Sequence, residues 1–321
     1  MTSRVAVLKD VPLSAYTRFG IGGPADFLID AATEEGFRTA IDGVRQSGGP
    51  FLVIGGGTNL VVSDEGFRGT VIRYTANCIS GEGTLVTAEA GAILQNLVDF
   101  SINRSLAGIH TMTGIPGWVG GAVYGNAGAY GRSIHQSVKS VRFFDGEAVR
   151  ELDNAECQFH YRDSIFKLRK DWIIFTTTLE LTPGNGAELR TKADGIWNVR
   201  NEKYPSTMKC AGSIFKNLLF AELPESAQRQ VPPELIREGK VPSAYFLEQV
   251  EAKGMKNGDI HVADYHANLI YNAGHGTARQ VCEVIGELKK RVHARFGFNV
   301  EEEVQYVGFT SSALPFESRI A

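Results

Sequence analysis

The stretch from Gly114 to Gly131 constrains this chain more than any other, because seven of its eighteen residues are glycine. Glycine costs about 0.5 to 1 kcal/mol relative to alanine in regular structure, so such a run is kept where φ is positive or where a ligand approaches the backbone closely. A flexible linker is the alternative, but linkers are polar, whereas Ile115, Trp118 and Val119 are interleaved here. The run therefore predicts a partly buried loop against which a flat or phosphorylated ligand lies.

Two shorter glycine clusters support the same interpretation. Gly55-Gly56-Gly57 follows the apolar run Phe51 to Ile54 and precedes Leu60-Val61-Val62, which predicts a strand, a glycine loop and a second strand. Backbone N–H groups in such a loop could cradle a pyrophosphate. Neither the GxGxxG fingerprint nor a GK[ST] phosphate loop is present, and an ordinary tight turn is the alternative for the triple glycine alone. The cluster Gly20 to Pro24 lies upstream.

The length and charge of the chain restrict its class. Its 321 residues exceed the usual limit of roughly 250 to 300 for a single core, so two or three domains are expected. The net charge of −3 gives no reason to expect nucleic acid as a partner. A small-molecule partner is expected instead, and no obligate protein partner is implied.

Compartment and metal binding follow from two further patterns. The apolar stretch Val5 to Leu8 is too short for the core of a signal peptide, so a cytoplasmic protein without membrane association is expected. The four cysteines are far apart with no CxxC spacing, and the histidines are scattered, so no metal site is expected.

Helices and strands are expected in an α+β arrangement. Apolar periodicity predicts a helix over Thr33 to Gln46, after a strand at Asp26 to Ile29. Further helices are predicted over Ala92 to Asn103, Glu188 to Lys203 and Thr277 to Phe296, and short β-like runs fill the middle third.

Three polar motifs could carry chemistry, and each has an ordinary structural alternative. Arg162, beside Tyr161, could bind a carboxylate in bidentate fashion, or it could be a surface arginine paired with an acid. Ser213, after Gly212, could face a ligand or could be a helix cap or turn residue, and the GxSxG elbow of a hydrolase is absent. In Glu301-Glu302-Glu303 the side chains alternate faces if the segment is extended, although acid triplets are usually solvated.

Taken in order, these segments resemble the UDP-N-acetylenolpyruvoylglucosamine reductase family, and the resemblance covers nearly the whole chain. The landmarks that carry it are Tyr16 to Pro24, Gly55 to Leu60, Gly114 to Gly117, Gly125 to Ala129, Tyr161 to Ser164, Gly212 to Asn217 and Glu303-Val304. The resemblance implies an α+β fold of the vanillyl-alcohol-oxidase/PCMH type, with two FAD-binding subdomains and a C-terminal α+β substrate-binding domain. The expected boundaries are 1–76, 77–200 and 201–300, with the tail 301–321 returning to the first subdomain.

The same resemblance implies a reaction and its cofactors. FAD is expected to be bound non-covalently, NADPH is the expected co-substrate, and UDP-N-acetylglucosamine enolpyruvate is reduced to UDP-N-acetylmuramate for peptidoglycan synthesis. Arg162 matches the arginine that polarises the enolpyruvyl carboxylate, Ser213 the proton donor, and Glu303 the acid that helps to stabilise the enolate.

Binding residues are also implied by position. The expected cofactor-binding residues are Gly22, Gly55, Gly56, Gly57, Thr58, Asn59, Leu60, Gly114, Ile115, Pro116, Gly117, Gly120, Gly121, Gly125, Asn126, Ala127 and Gly128. The expected substrate-binding residues are Lys203, Lys216 and Asn217.

Three departures from the family pattern are visible. The span Phe166 to Lys203 is too short for a tyrosine-bearing insertion, which indicates the shorter subclass. The segment Leu218 to Val241 is longer than expected and is a candidate replacement for that lid, while Ala263 to His266 lacks a lysine that the family commonly carries. The alternatives are an oxidase of the same fold that passes electrons to oxygen, and a non-catalytic homologue that binds FAD or a nucleotide.

Overall fold

The computed structural model describes residues 5–310 and Leu314. The helices are α1 (Glu34–Ser47), α2 (Leu94–Asn103), α3 (Val119–Tyr124), α4 (Ile165–Leu168), α5 (Gly186–Lys203), α6 (Glu225–Gln228), α7 (Ser243–Gln249) and α8 (Ala278–Phe296). The strands are β1 (Val5–Pro12), β2 (Pro24–Ala31), β3 (Phe51–Val53), β4 (Leu60–Val62), β5 (Phe67–Tyr74), β6 (Ile79–Glu82), β7 (Leu85–Glu89), β8 (Leu106–Ala107), β9 (Gly128–Ala129), β10 (Arg132–Ser133), β11 (Val138–Phe144), β12 (Val149–Asp153), β13 (Ile173–Glu180), β14 (Thr182–Pro183), β15 (Lys209–Ser213), β16 (Leu218–Leu219), β17 (Lys240–Val241), β18 (Lys256–Asn257), β19 (Ile260–Ala263), β20 (His266–Asn272) and β21 (Gln305–Val307).

The first of two compact units comprises residues 5–9, 26–56 and 69–206 of the described chain. It contains a four-stranded sheet of order β1-β2-β5-β3 and a five-stranded antiparallel sheet of order β12-β11-β13-β7-β6. Its core includes an aromatic cluster in which the ring of Phe37 meets Tyr74 and Phe175 edge to face, at centroid distances of 5.8 and 5.5 Å. This packing joins α1 to strands of both sheets.

The second unit comprises residues 10–25, 57–68 and 207–310 together with Leu314. Its main sheet has the order β15-β20-β19-β18, and β21 pairs with β4 in parallel. One face of α8 packs into a separate apolar core. The segment 218–241 contributes to that core, since its side chains Leu223, Ala227, Val231 and Val241 are buried there.

The long helices predicted from periodicity are confirmed. In α1 the predicted face of Phe37, Ala40, Ile41 and Val44 is buried, and Thr33 caps the helix by accepting from the Gly36 N–H. α8 begins after Thr277, which forms a capping box with Gln280, and it ends at Gly297 with φ +76°. Local caps and an apolar face thus mark both helices in the sequence, and the distant Asp64 adds a cap to α8 by accepting from the N–H groups of Ala278 and Arg279 at 2.8 and 3.0 Å.

The structure divides into two discontinuous units, and the domain boundaries expected from the sequence stay a prediction. Of the expected tail 301–321, residues 311–313 and 315–321 lie outside the described residues. Helices and strands occupy almost all of the span Phe166 to Lys203, namely α4, β13, β14 and α5. The longest connection between them is residues 169–172. No helix of the described chain is long and apolar enough to cross a membrane. Within the same residues no three His, Cys, Asp or Glu side chains gather in a way that could hold a metal ion.

Candidate active site

Arg162 lies at the tip of a tight turn in the first unit. The backbone groups of His160 and Asp163 hydrogen-bond each other at 3.0 and 3.2 Å, which closes the turn around Tyr161 and Arg162. Arg162 adopts φ +57°, an uncommon conformation for a residue with a side chain and one that concentrates at functional sites. Its Nη2 donates to the carbonyl oxygen of Gly128 at 2.9 Å. The guanidinium is therefore held against the glycine run.

The glycine run is the platform on which that turn is built. Asn126, 3% exposed, donates from Nδ2 to the His160 carbonyl at 2.7 Å, and its Oδ1 accepts from the His135 N–H at 3.3 Å. The Ser164 hydroxyl donates to the Tyr124 carbonyl at 2.8 Å. Asn126 was expected to bind cofactor, but its side chain is occupied by these contacts within the protein.

Seven of the ten glycines expected to bind cofactor fall into two groups. In the first group an added Cβ would lie less than 3 Å from another protein atom, which explains why glycine is needed there. The members, each with the group that the Cβ would strike, are Gly22 (Val62), Gly57 (Tyr16 carbonyl), Gly120 (Ala90) and Gly128 (Arg132 carbonyl). In the second group it would meet almost nothing, with no atom within 4 Å at Gly121, a single atom at 3.5 Å at Gly125, and one at 4.0 Å at Gly55. The first group allows the loops to pack, and the second leaves space that a ligand could occupy.

Polar atoms beside the run also fit a polar ligand. His110 and Thr111 form a 3-10 turn just before Gly114, and their Nδ1 and Oγ1 atoms are buried without a hydrogen-bond partner. Burial, with smaller contributions from Lys192 and Arg132, lowers the pKa of His110, which favours the neutral imidazole. Buried polar atoms without partners are rare, so these two residues and the open glycines fit the expected FAD. Neither residue stood out from the sequence.

Gly56 lies against the ring of Trp118, a contact that was also not predicted from the sequence. A Cβ at Gly56 would lie 3.1 Å from Trp118 Cδ1, and the Arg73 guanidinium lies 5.5 Å from the Trp118 ring centroid. Arg73 is held in turn by Asp30, with Nε donating to Oδ1 at 2.6 Å. The glycine at this position allows the loop to contact the indole directly.

The C-terminal end of α5 places Lys203 in a cationic cluster of the first unit. Lys203 and Arg200 lie 5.2 and 5.5 Å from the centroid of the Tyr204 ring, and the Arg200 side chain packs against Gly114. Burial, reinforced by the charge of Arg200, lowers the pKa of Lys203. Arg200 was not identified from the sequence, although its spacing of three from Lys203 puts both on one face of a helix.

In the second unit, Ser213 follows a bulge in the main sheet. β15 pairs with β20 at Cys210↔Tyr271 and at Ser213↔Leu269, so β15 has one residue more than β20 between the two pairs. Gly212 occupies the bulge with φ +80°, a conformation that glycine adopts without strain. Bulges re-aim the side chains beside them, and here the re-aimed residue is the expected proton donor.

The Glu303 segment runs beside the residues that follow Ser213. The Glu303 N–H donates to the Ile214 carbonyl at 2.7 Å, and the Lys216 N–H donates to the Glu301 carbonyl at 2.9 Å. Glu302 is buried while Glu301 is exposed, which confirms the expected alternation of faces. The structure therefore brings Ser213 and Glu303 together in one unit, whereas Arg162 belongs to the other.

Asn59 connects the triple-glycine loop to the same segment. Its Nδ2 donates to the Glu303 carbonyl at 2.8 Å, and its own carbonyl accepts from the Gln305 N–H at 3.0 Å. Leu60 then begins β4, opposite Gln305 in β21. The loop expected to bind the cofactor thus also fixes the backbone of the expected catalytic acid.

Of the remaining expected substrate residues, Lys216 is half-buried and Asn217 is exposed. Lys216 Nζ forms an ion pair with Glu301 Oε1 at 2.7 Å. An anionic ligand would compete with Glu301 for this ammonium group.

Comparisons with known proteins identify the family. Residues 25–150 match the family described as FAD binding domain, and residues 204–307 match the C-terminal domain of UDP-N-acetylenolpyruvoylglucosamine reductase. The reductase of that name from Solibacter usitatus is 62% identical over 305 residues, 95% of this chain and 97% of the relative. The one from Clostridioides difficile is 33% identical over 95% of each chain.

A solved structure supports the same assignment. The crystal structure of UDP-N-acetylenolpyruvylglucosamine reductase from Thermus caldophilus matches with a TM-score of 0.74 and 28% identity, over 95% of this chain and 99% of that one. The expected combination of an α+β FAD-binding domain and a C-terminal domain is confirmed. This chain belongs to the UDP-N-acetylenolpyruvoylglucosamine reductase family.

Proposed function

We propose that this protein is an NADPH-dependent flavoenzyme that reduces the enolpyruvyl group of UDP-N-acetylglucosamine enolpyruvate to give UDP-N-acetylmuramate. The observation that carries the proposal is the position of Ser213. This serine follows the bulge in β15, and the residues after it pair with the Glu303 segment. Family membership supports FAD as cofactor and NADPH as reductant. A cytoplasmic location, and the absence of a nucleic-acid, membrane or obligate protein partner, belong to the same proposal.

The chain's own residues supply electrostatic stabilisation and a proton. When FAD is bound, the chemistry it supplies is hydride transfer from NADPH to the terminal carbon of the enolpyruvyl double bond. Negative charge then develops on the adjacent carbon and its carboxylate, and Arg162 opposes that charge. The Ser213 hydroxyl gives its proton to that carbon, whose electron pair forms the new C–H bond, and water reprotonates the serine. Glu303 stabilises the enolate by donating a hydrogen bond from its protonated carboxyl group, since a carboxylate has no hydrogen to donate.

Ligand-binding residues are assigned for each unit separately. We assign the flavin to the open face of Gly55, Gly121 and Gly125, with His110 and Thr111 as added polar contacts. As the family resemblance implies, we assign Lys203 of the first unit, and Lys216 and Asn217 of the second, to substrate binding, and Arg200 is an added cation beside Lys203. Membership of the shorter subclass, and a covering role for segment 218–241, are part of this proposal.

Anaerobic stopped-flow absorbance at the flavin band tests the function. We expect NADPH to bleach the yellow protein, and UDP-N-acetylglucosamine enolpyruvate to restore the colour rapidly. Restoration by oxygen alone would favour the oxidase. Purified protein that is colourless and takes up no FAD would contradict the flavoprotein assignment.

Substitution of Gly121 tests the flavin site separately from turnover. Gly121→Ala should leave the apoprotein as stable as the wild type, or up to about 1 kcal/mol more stable, because alanine is the better helix former. We expect the added methyl group to weaken FAD binding about tenfold, an effect of about 1.4 kcal/mol, because it enters the space assigned to the ligand. Fluorescence titration of the apoprotein with FAD measures the affinity.

Gly43→Ala is the matched control for this variant. Gly43 lies within α1, and a Cβ there also meets no atom within 4 Å. Gly43→Ala should keep the wild-type FAD affinity. Equal affinities in the two variants would remove Gly121 from the flavin site.

A further inference from the structure

The backbone of Phe215 is held by the side chain of a buried asparagine. The Phe215 N–H donates to Asn268 Oδ1 at 2.8 Å, and Asn268 Nδ2 donates back to the Phe215 carbonyl at 2.8 Å. The same Nδ2 donates to the Ser243 hydroxyl oxygen at 2.7 Å, and Asn268 is only 3% exposed. A side-chain amide thus makes both hydrogen bonds that a neighbouring strand would otherwise supply.

This amide clamp lies where β15 ends. Ser213↔Leu269 is the last pair between β15 and β20, and Ile214 N–H still donates to the Asn268 carbonyl at 3.1 Å. Without the clamp, the N–H of Phe215, a fully buried residue, would lose its acceptor, and the Phe215 carbonyl would keep only the Ser243 hydroxyl, which donates to it at 3.3 Å. A buried N–H without an acceptor is destabilising, so the segment would move to satisfy it.

The clamp acts on the residues that flank Ser213. Gly212 at φ +80° gives the bulge its shape on one side, and Phe215 is fixed two residues away on the other. Phe215 is also bridged to Glu302, the neighbour of Glu303. A shift of Phe215 would therefore displace residues beside both Ser213 and Glu303. It would change the distance between the Ser213 hydroxyl and the Glu303 carboxyl group.

We propose that Asn268, supported by Ser243, is a positioning residue that sets the Ser213 hydroxyl for proton delivery. This inference rests on the proposed function, since it needs Ser213 to be the proton donor. The Asn268 amide is buried and bonded to Phe215 and Ser243, so it acts through the backbone of Phe215. Its effect is confined to the half-reaction in which a proton is transferred.

Asn268→Asp is the variant that tests the clamp. An ionised carboxylate has the same shape but no hydrogen to donate, so it keeps the bond from the Phe215 N–H and places an oxygen against the Phe215 carbonyl. We expect flavin reduction by NADPH to stay within about twofold of wild type. Reoxidation by UDP-N-acetylglucosamine enolpyruvate should slow about 10- to 100-fold, the effect of roughly 1 Å of misplacement. The solvent deuterium isotope effect on reoxidation should rise.

Asn272→Asp is the matched control, because Asn272 lies on the same strand and is also buried. Its Oδ1 accepts from the N–H groups of Gly274 and Gly276, and its Nδ2 makes a long bond of 3.4 Å to the Phe19 carbonyl. This variant should keep both half-reactions within about twofold of wild type. Ser243→Ala removes the acceptor of one Asn268 Nδ2 bond and a long bond of 3.3 Å from the Ser243 hydroxyl to the Phe215 carbonyl, and it should give a smaller loss in reoxidation alone.

The possible results separate the two proposals. A wild-type protein that the substrate does not reoxidise would contradict the proposed function itself. A wild type that turns over, with an Asn268→Asp variant that reoxidises at the wild-type rate, would overturn only the positioning role. Equal slowing of both half-reactions in Asn268→Asp would also overturn it, since general disturbance would then explain the loss. If Asn268→Asp does not fold, unchanged reoxidation in Ser243→Ala overturns the inference.

Discussion

Replacing Ser213 with alanine is expected to slow reoxidation of the reduced protein by UDP-N-acetylglucosamine enolpyruvate about 10²- to 10⁴-fold, the usual contribution of a positioned general acid. Reduction by NADPH should keep its wild-type rate, because the proton is needed only after hydride has reached the substrate. Stopped-flow measurement of the two half-reactions under anaerobic conditions separates these steps.

The backbone at Ser213 makes this substitution a clean one. The positive φ of the bulge falls on Gly212, and Ser213 is not among the residues with positive φ, so alanine fits without strain. Ser213→Cys keeps an acidic hydrogen and should reoxidise at least about tenfold faster than Ser213→Ala. Wild-type reoxidation in Ser213→Ala would remove this serine from the proton-transfer step.

The elements that could be predicted from the sequence are those determined by local interactions. α1 and α8 have an apolar face, a capping threonine and a terminal glycine within one continuous stretch, so periodicity located them to within one or two residues. The strand, glycine loop and strand around Gly55 to Gly57 were also predictable, because short β-rich runs border the glycines.

Contacts between distant residues could not be predicted in the same way. Asn268 and Phe215 are 53 residues apart, and Asn59 and Glu303 are 244 residues apart. Nothing in the local sequence around Asn268 indicates that its amide bonds another strand's backbone. The expected site residues came from motif resemblance, which identifies positions but not the groups that hold them.

The glycine run illustrates this limit. Its composition predicts close approach by a ligand, and six of its seven glycines are expected to bind cofactor, with no distinction among the six. In the structure, Gly120 and Gly128 are required because Ala90 and Arg132 leave no room for a side chain, whereas Gly121 faces open space. Packing between segments distinguishes these cases, and one sequence does not contain that information.

Lys289→Met is expected to destabilise the protein by about 3 to 5 kcal/mol, the usual cost of removing one partner from a buried ion pair. Lys289 Nζ donates to both carboxylate oxygens of Glu302 at 3.0 and 2.9 Å, and the two side chains are only 14% and 4% exposed. Thermal unfolding monitored by circular dichroism should show a melting temperature lower by several degrees. The double variant Lys289→Met/Glu302→Gln should recover part of the loss, because no buried charge remains.

The pH dependence of the stability of Lys289→Met follows from the carboxyl group of Glu302, which has lost its partner. Burial raises the pKa of Glu302, and the Lys289 ammonium opposes that shift. Without Lys289 the pKa of Glu302 in the folded state rises further above its value in the unfolded state. The variant therefore binds a proton on folding, and it loses stability as pH rises through the interval between these two pKa values. In wild type the Lys289 ammonium keeps the Glu302 pKa below its value in the variant, so the wild type gains less stability as pH falls. The stability difference between variant and wild type should therefore shrink as pH falls.

An exposed pair on the same helix provides the control. Arg279 and Glu283 are 83% and 42% exposed, and exposed pairs contribute little because water screens them. Arg279→Met should leave the melting temperature unchanged within error at every pH. Equal, pH-independent changes in the two variants would mean that Glu302 carries no buried charge. Because Glu302 lies between Glu301 and Glu303 and is bridged to Phe215, its ion pair with α8 also anchors the Glu303 segment to the core of the second unit.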